Sequence, residues 1–153
     1  MDPKPKQHNY KKSIPENKYN PLSWIHPKAI IGDNCWIGSD VMISEHVEIG
    51  DNVSISCGVK IHDHDTSYNH ATEKNIGITY YKVKIGSNTQ IGSNSVIVPT
   101  DKDLTIGDNV IVGALSLVKH DIPDRHVMGG NPLRFIGDII INSKKRGKND
   151  TSS

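Results

Sequence analysis

Within ten residues, Ile61 to His70, the chain reads IHDHDTSYNH and holds three of its eight histidines together with Asp63 and Asp65. Imidazole titrates near neutrality, so a positioned histidine can take or give a proton at physiological pH, and its neutral form ligates metals. Two chemistries fit this composition. One is proton transfer by one of His62, His64 and His70; the other is a zinc site that needs three ligands brought together from several places. Asp63 and Asp65 flank His64, and either could orient its ring through the second nitrogen. Neither cysteine, Cys35 or Cys57, stands beside the cluster, which gives no support to a thiol nucleophile there.

The element that must position this cluster is a repeat. Isoleucine occupies positions 25, 31, 37, 43, 49, 55 and 61, and the spacing of six resumes at Ile85, Ile91 and Ile97. After a slip of three residues it continues at Ile106, Val112 and Val118. Four residues after most of these comes a second compact residue, among them Cys35, Val41, Val47, Val53, Val59, Ser95 and Val110. Six is the wrong period for an amphipathic helix, where apolar residues recur at three or four. It is a multiple of two, so strands satisfy it if the chain turns once per repeat. The phrases IGDN, IGSD and IGSN supply Gly, Asn and Asp, which accept positive φ at low cost. Three such sides give about eighteen residues per coil, with coils stacked at the ~4.8 Å strand spacing. The inward isoleucines then form the core, which explains how a chain with 35% apolar residues, 5% aromatics and one Phe builds one. Cys35 falls on the inward phase and reads as a small core residue.

The repeat is interrupted twice. Between Ile61 and Ile85 it is absent for 24 residues, and the segment HDHDTSYNHATEKNIGITYYKVK must leave the solenoid at a corner. The histidine cluster is the root of that excursion, and loops on rigid scaffolds are where binding and catalytic groups concentrate. The second interruption, VPTDKDLT, reads as a bulged corner.

Charge narrows the partners. Residues 1–24 carry five lysines against Asp2 and Glu16, and residues 137–153 carry Lys144, Lys145, Arg146 and Lys148 against Asp138 and Asp150. With a net charge of +1, the middle is therefore acidic at −4, which argues against a nucleic-acid footprint on the folded part. No apolar run reaches the ~20 residues of a membrane helix, the two cysteines are too few for a disulfide framework, and the start MDPKPKQHNY shows no apolar signal region. A cytoplasmic protein without membrane insertion is expected.

The repeat resembles the hexapeptide-repeat family over residues 25–136, which implies a left-handed parallel β-helix. The ending IGDNVIVGALSLVKHDIPDRHVMGGNPLRFI is similar to that of the sugar and polysaccharide O-acetyltransferase group, which includes the galactoside and maltose acetyltransferases. The resemblance implies an acetyl-CoA-dependent transferase that moves an acetyl group directly to a sugar or polysaccharide-precursor hydroxyl, without a metal, as a homotrimer. It implies His64 as general base. In galactoside-type members that histidine stands five residues after the repeat-start aliphatic, a position held here by Thr66, while His64 stands three after Ile61; the polysaccharide-type loop supports the earlier position. Carried over by position, Ser93, Ala114, Lys119 and His120 correspond to coenzyme contacts, and Arg134 to a cation near the nucleotide phosphates. The family's TK pair is KH here and its VWIG tryptophan is Gln90, departures that bear on donor binding. An amino-sugar acceptor, a γ-type carbonic anhydrase and an inactive β-helix scaffold are the competing readings.

The expected organisation is an N-terminal arm over 1–24, the β-helix over 25–136 with loop 62–84, and a closing element with a disordered basic tail over 137–153.

Overall fold

A computed structural model describes residues 14–73 and 77–140. Within them the period of six becomes strands of two or three residues, and each full coil contributes one strand to each of three sheets. The first sheet stacks β1 (Trp24–Ile25), β4 (Met42–Ile43), β7 (Lys60–Ile61), β10 (Val96–Ile97) and β13 (Leu117–Val118). The second stacks β2 (Ile30–Ile31), β5 (Val47–Ile49), β8 (Val83–Ile85) and β11 (Leu104–Ile106). The third stacks β3 (Trp36–Ile37), β6 (Ser54–Ile55), β9 (Gln90–Ile91), β12 (Ile111–Val112) and β14 (His126–Gly129), and ends on β15 (Arg134–Asp138), which returns antiparallel. The architecture is the expected left-handed parallel β-helix.

Register follows the isoleucine spacing. Ile25 pairs with Ile43, Ile43 with Ile61, and across the excursion Ile61 with Ile97, so the ladder continues as though the inserted chain were absent. These side chains, with Ile37, Ile49, Ile55, Ile85, Ile91 and Ile106, are buried. Each contributes on the order of 1.5–3 kcal/mol of burial. The second inward column mixes Val41 and Val59 with Ser23, Ser95 and Ser116. Its buried hydroxyls are partnered: Ser95 Oγ donates to the Gly113 carbonyl at 2.9 Å and accepts the Ser116 N–H at 3.1 Å. Cys35 packs at the edge of the core, with its Sγ 3.1 Å from the Gly50 carbonyl oxygen.

The corners differ from one another. Between the second and third sheets the chain turns through positive φ at Asn34, Asn52, Asn88, Asn109 and Arg125; between the third and first it does so at Asp40, Gly58, Asn94 and Leu115. The expectation that every corner uses such a residue fails at the third edge, from the first sheet to the second. At Pro27–Ala29, Glu45–His46 and Lys119–Asp121 no residue has positive φ. Both interruptions leave from this edge, one between β7 and β8 and the other between β10 and β11. A corner that needs no special backbone conformation is the one that tolerates inserted chain.

At the N-terminal end the Asn17 side-chain oxygen accepts the N–H groups of Tyr19 and Asn20, and Tyr19 packs on the core. At the other end β14 and β15 form a hairpin over the last coil; β15 runs through the expected boundary at 136. The first thirteen residues of the expected arm and the tail from residue 141 lie outside the described residues. No helix among the described residues is long and apolar enough to cross a membrane.

Candidate functional site

The excursion starts from a pinned root. The His62 N–H donates to the Ile97 carbonyl at 2.9 Å, which keeps His62 on the stacked scaffold. The outgoing and returning limbs are joined by the Tyr81 N–H on the Asp63 carbonyl at 2.8 Å, and Val83 rejoins the stack by donating to His46 at 3.0 Å. Beyond the root the described residues include one short helix, α1 (Ser67–Thr72).

Asp63 is the centre of the arrangement. It is 3% exposed, and its two carboxylate oxygens are divided between two imidazoles. Oδ1 lies 2.7 Å from His64 Nδ1, and Oδ2 lies 2.7 Å from His46 Nδ1. The backbone N–H of His46 also donates to Oδ2, at 3.3 Å. The Tyr80 ring, on the returning limb, stands 5.3 Å from the His46 ring and 5.1 Å from the His64 ring. Burial works against the charge on Asp63, but the hydrogen bonds from His46 and His64 outweigh it and hold its carboxyl below the usual carboxylate range. Since an ionised carboxylate only accepts, each ring presents Nδ1–H to Asp63, which leaves Nε2 as the nitrogen available to other partners.

Asp65, the other aspartate beside His64, turns away. Its Oδ1 accepts the N–H and hydroxyl of Ser67, and these bonds lower its pKa. Of the two carboxylates flanking His64, Asp63 is therefore the one that orients the ring.

Beside the root lies an open groove of about 460 Å³, lined by His62, His64, Thr66, Val96, Val98 and Lys119, with Asp65 and Ser67 on its loop side. His62, Val98 and Lys119 stack as successive rungs of one column, because Ile61 pairs with Ile97 and Ile97 with Val118. Burial, followed by the neighbouring His64 charge, holds His62 below the ordinary histidine range, which favours its neutral form.

The residues singled out from the sequence divide into groups. His64, His62 and Lys119 share the groove. His70 is on α1, exposed and away from the groove lining. Ser93 and Ala114 stack on the opposite edge of the first sheet, where the Leu115 N–H donates to the Ser93 carbonyl at 2.9 Å. Arg134, exposed, pairs with Gly129 at the start of β15. His120 is exposed beside Lys119 and does not line the groove. His46, which its place in the sequence does not connect to the cluster, holds the same carboxylate as His64 from the corner between β4 and β5. Tyr80 also escaped the sequence reading. Among the described residues no group of three or more His, Cys, Asp or Glu side chains could hold a metal ion.

The depressed Asp63 value has a defined consequence for stability. A carboxyl whose folded pKa is lowered stabilises the fold fully above its unfolded value, about 3.9, and loses that contribution as pH falls through the folded value. Acid melting curves should therefore steepen below about pH 4 in the wild type. In Asp63→Asn that acid component should be reduced; equal slopes for the two proteins would count against the bonded carboxylate.

Comparison with known proteins places these features in context. A family model for bacterial transferase hexapeptide repeats matches residues 28–63, and one for the hexapeptide repeat of succinyl-transferase matches residues 82–114. The galactoside O-acetyltransferase of Escherichia coli is 43% identical over 70 residues, which cover 46% of this chain and 33% of that protein. The match thus spans about a third of the length of that curated relative. The solved structure of a maltose O-acetyltransferase from Clostridium difficile superimposes with a TM-score of 0.59 at 32% identity, over 86% of this chain and 82% of that one. A hexapeptide-repeat acetyltransferase from Vibrio cholerae gives a TM-score of 0.66 at 25% identity, over 76% of this chain and 65% of that one.

Proposed function

The chain belongs to the hexapeptide-repeat acetyltransferases, and from that premise we propose that it transfers an acetyl group from acetyl-CoA to a hydroxyl of a sugar or sugar-bearing precursor. The observation that carries the reading is the His64 ring, anchored through Nδ1 by a buried carboxylate and set in the wall of a groove beside Lys119.

His64 Nε2 accepts the proton of the acceptor hydroxyl as its oxygen attacks the thioester carbonyl carbon. The resulting imidazolium is stabilised by Asp63 and returns its proton to the departing sulfur when the tetrahedral intermediate collapses. No covalent enzyme intermediate is needed, and neither cysteine takes part. Val96 and Val98 give the groove an apolar floor suited to a thioester arm. Lys119 offers a cation there, and Ser93 and Ala114 offer a second line of contact along the far edge of the same sheet. His120 and Arg134 are the outlying contacts, with Arg134 placed to meet phosphate as a cation. In a homotrimer, a neighbouring protomer would close the open side of each groove.

The test is incubation of the purified protein with acetyl-CoA and a panel of sugars and amino sugars while free thiol is followed. Acceptor-dependent thiol release, with an O-acetylated product by mass spectrometry, is the expected result. Release only with amino sugars would move the reading to N-acylation, and no release with any acceptor would remove it.

A further inference from the structure

The geometry points to His46 as a positioning residue for the proposed transfer: from the rigid side of the prism it holds one oxygen of Asp63, and thereby fixes the other oxygen on Nδ1 of His64. The inference rests on the acetyltransferase reading for its kinetic consequence, though not for the contact itself.

The terminal torsion of an aspartate is soft and roughly two-fold, so a carboxylate bound at one oxygen still swings about its own axis. Asp63 sits at the root of the long excursion, one residue before His64. What stops the swing is the far oxygen. Oδ2 takes the His46 ring at 2.7 Å and the His46 backbone N–H at 3.3 Å, so the same residue grips it twice. His46 itself belongs to the corner between β4 and β5, and its carbonyl accepts the Val83 N–H at 3.0 Å. It is therefore held by strands on both sides, which the loop residues are not. Tyr80 covers both rings from the returning limb. Removing the ring leaves Oδ2 only the backbone N–H of residue 46, at 3.3 Å the longer of its two bonds, so the carboxylate is free to turn toward other donors, His64 included.

The charged and titratable groups facing His46 are few. Asp63 meets it from the loop root and Tyr80 from the returning limb, and His64 shares both of these neighbours with it. Glu45, on its own corner, is itself engaged by Lys28 at 3.2 Å and by His26 at 3.8 Å from the coil before. His46 shares the Asp63 charge between two donors.

The experiment compares the wild type with His46→Ala and His46→Asn, since the asparagine amide nitrogen occupies the place of Nδ1 and keeps a donor there. His46→Ala should lose about tenfold to a hundredfold in kcat, the usual range for an outer-sphere partner of a working histidine. Its KM values should stay within about twofold. His46→Asn should recover most of the kcat. Melting curves confirm that both variants are folded. An unchanged kcat in His46→Ala, or an equal loss in a folded His46→Asn, would overturn the inference. A wild type that releases no thiol counts against the acetyltransferase reading alone. The contact is then read from the imidazole nitrogens by NMR: His64 should hold the Nδ1–H tautomer in the wild type and show a mixture in His46→Ala. An unchanged tautomer in that variant would overturn it.

Discussion

His64→Ala should lower kcat for acetyl transfer by about a hundred- to ten-thousand-fold, the span a positioned general base contributes. KM for acetyl-CoA should change little, because the ring acts on the acceptor proton. The His64 side chain is 34% exposed and its removal opens no core cavity, so the variant should fold, with some loss of stability because Asp63 Oδ1 loses its ring partner. The argument for His64 over its neighbours is one of anchoring. His62 lines the same groove, and burial already favours its neutral form, but the buried carboxylate holds His64. His70 lies outside the groove lining altogether. His62→Ala should therefore cost much less than His64→Ala, and His70→Ala should be indistinguishable from wild type in steady-state kinetics. Turnover by His64→Ala within fivefold of wild type, or a larger loss in His62→Ala, would reassign the base.

The cluster was legible in the sequence because dense imidazole and carboxylate chemistry interrupts a regular repeat. Its internal wiring was less so. Asp63 and Asp65 are equivalent by adjacency to His64, and only burial separates them: the pinned root draws Asp63 beneath the two rings, while Asp65 faces Ser67. His46 could have been found. It precedes His64 by eighteen residues, one full coil, just as Ile43 precedes Ile61. The period that gave the core thus also stacks the corners, and a histidine one coil below the candidate base was a signal of contact. Lys119 is harder to place, since Val98 and Lys119 are 21 residues apart and only the slip at the second interruption accounts for the difference. Its place in the groove depends on the way that corner bulges.

For the fold, the isoleucine spacing predicted the pairing of each inward residue, and the observed register repeats it rung by rung. Corner chemistry was legible only in part. Asn34, Asn52, Asn88, Asn94 and Asn109 announce left-handed turns by residue type, but Leu115 and Arg125 adopt the same conformation with side chains that disfavour it. Stacking forces it on them, since the neighbouring coils fix where the chain must turn. The edge without such residues could not be told apart by composition, although both interruptions already marked it.

Gly92 exposes how little slack this stacking allows. A Cβ built on it would lie 2.4 Å from the Ala114 nitrogen, 2.6 Å from the Gly113 carbonyl carbon and 2.8 Å from the Ala114 Cα. All three are backbone atoms of the next coil, so no side chain can rotate away to make room. The same coil boundary is held by the Gly92 N–H on the Val112 carbonyl at 2.8 Å, and relief means stretching that bond. Each coil of a solenoid touches only its neighbours, so the strain cannot be spread over a larger core. Gly92→Ala should cost about 2–3 kcal/mol, lowering the melting temperature by about 5–10 °C. Gly92→Val should cost more. Gly137, with nothing within 4 Å of its built Cβ, is the control: Gly137→Ala should stay within about 0.5 kcal/mol of wild type. The melts need equal protein concentrations, so that any assembly contributes equally. Because Gly92 adjoins Ser93, the displaced coil should also raise KM for acetyl-CoA before it abolishes folding. A Gly92→Ala protein that melts with the wild type would show that the coils can move apart freely, against the close approach on which the stacked edge of Ser93 and Ala114 depends.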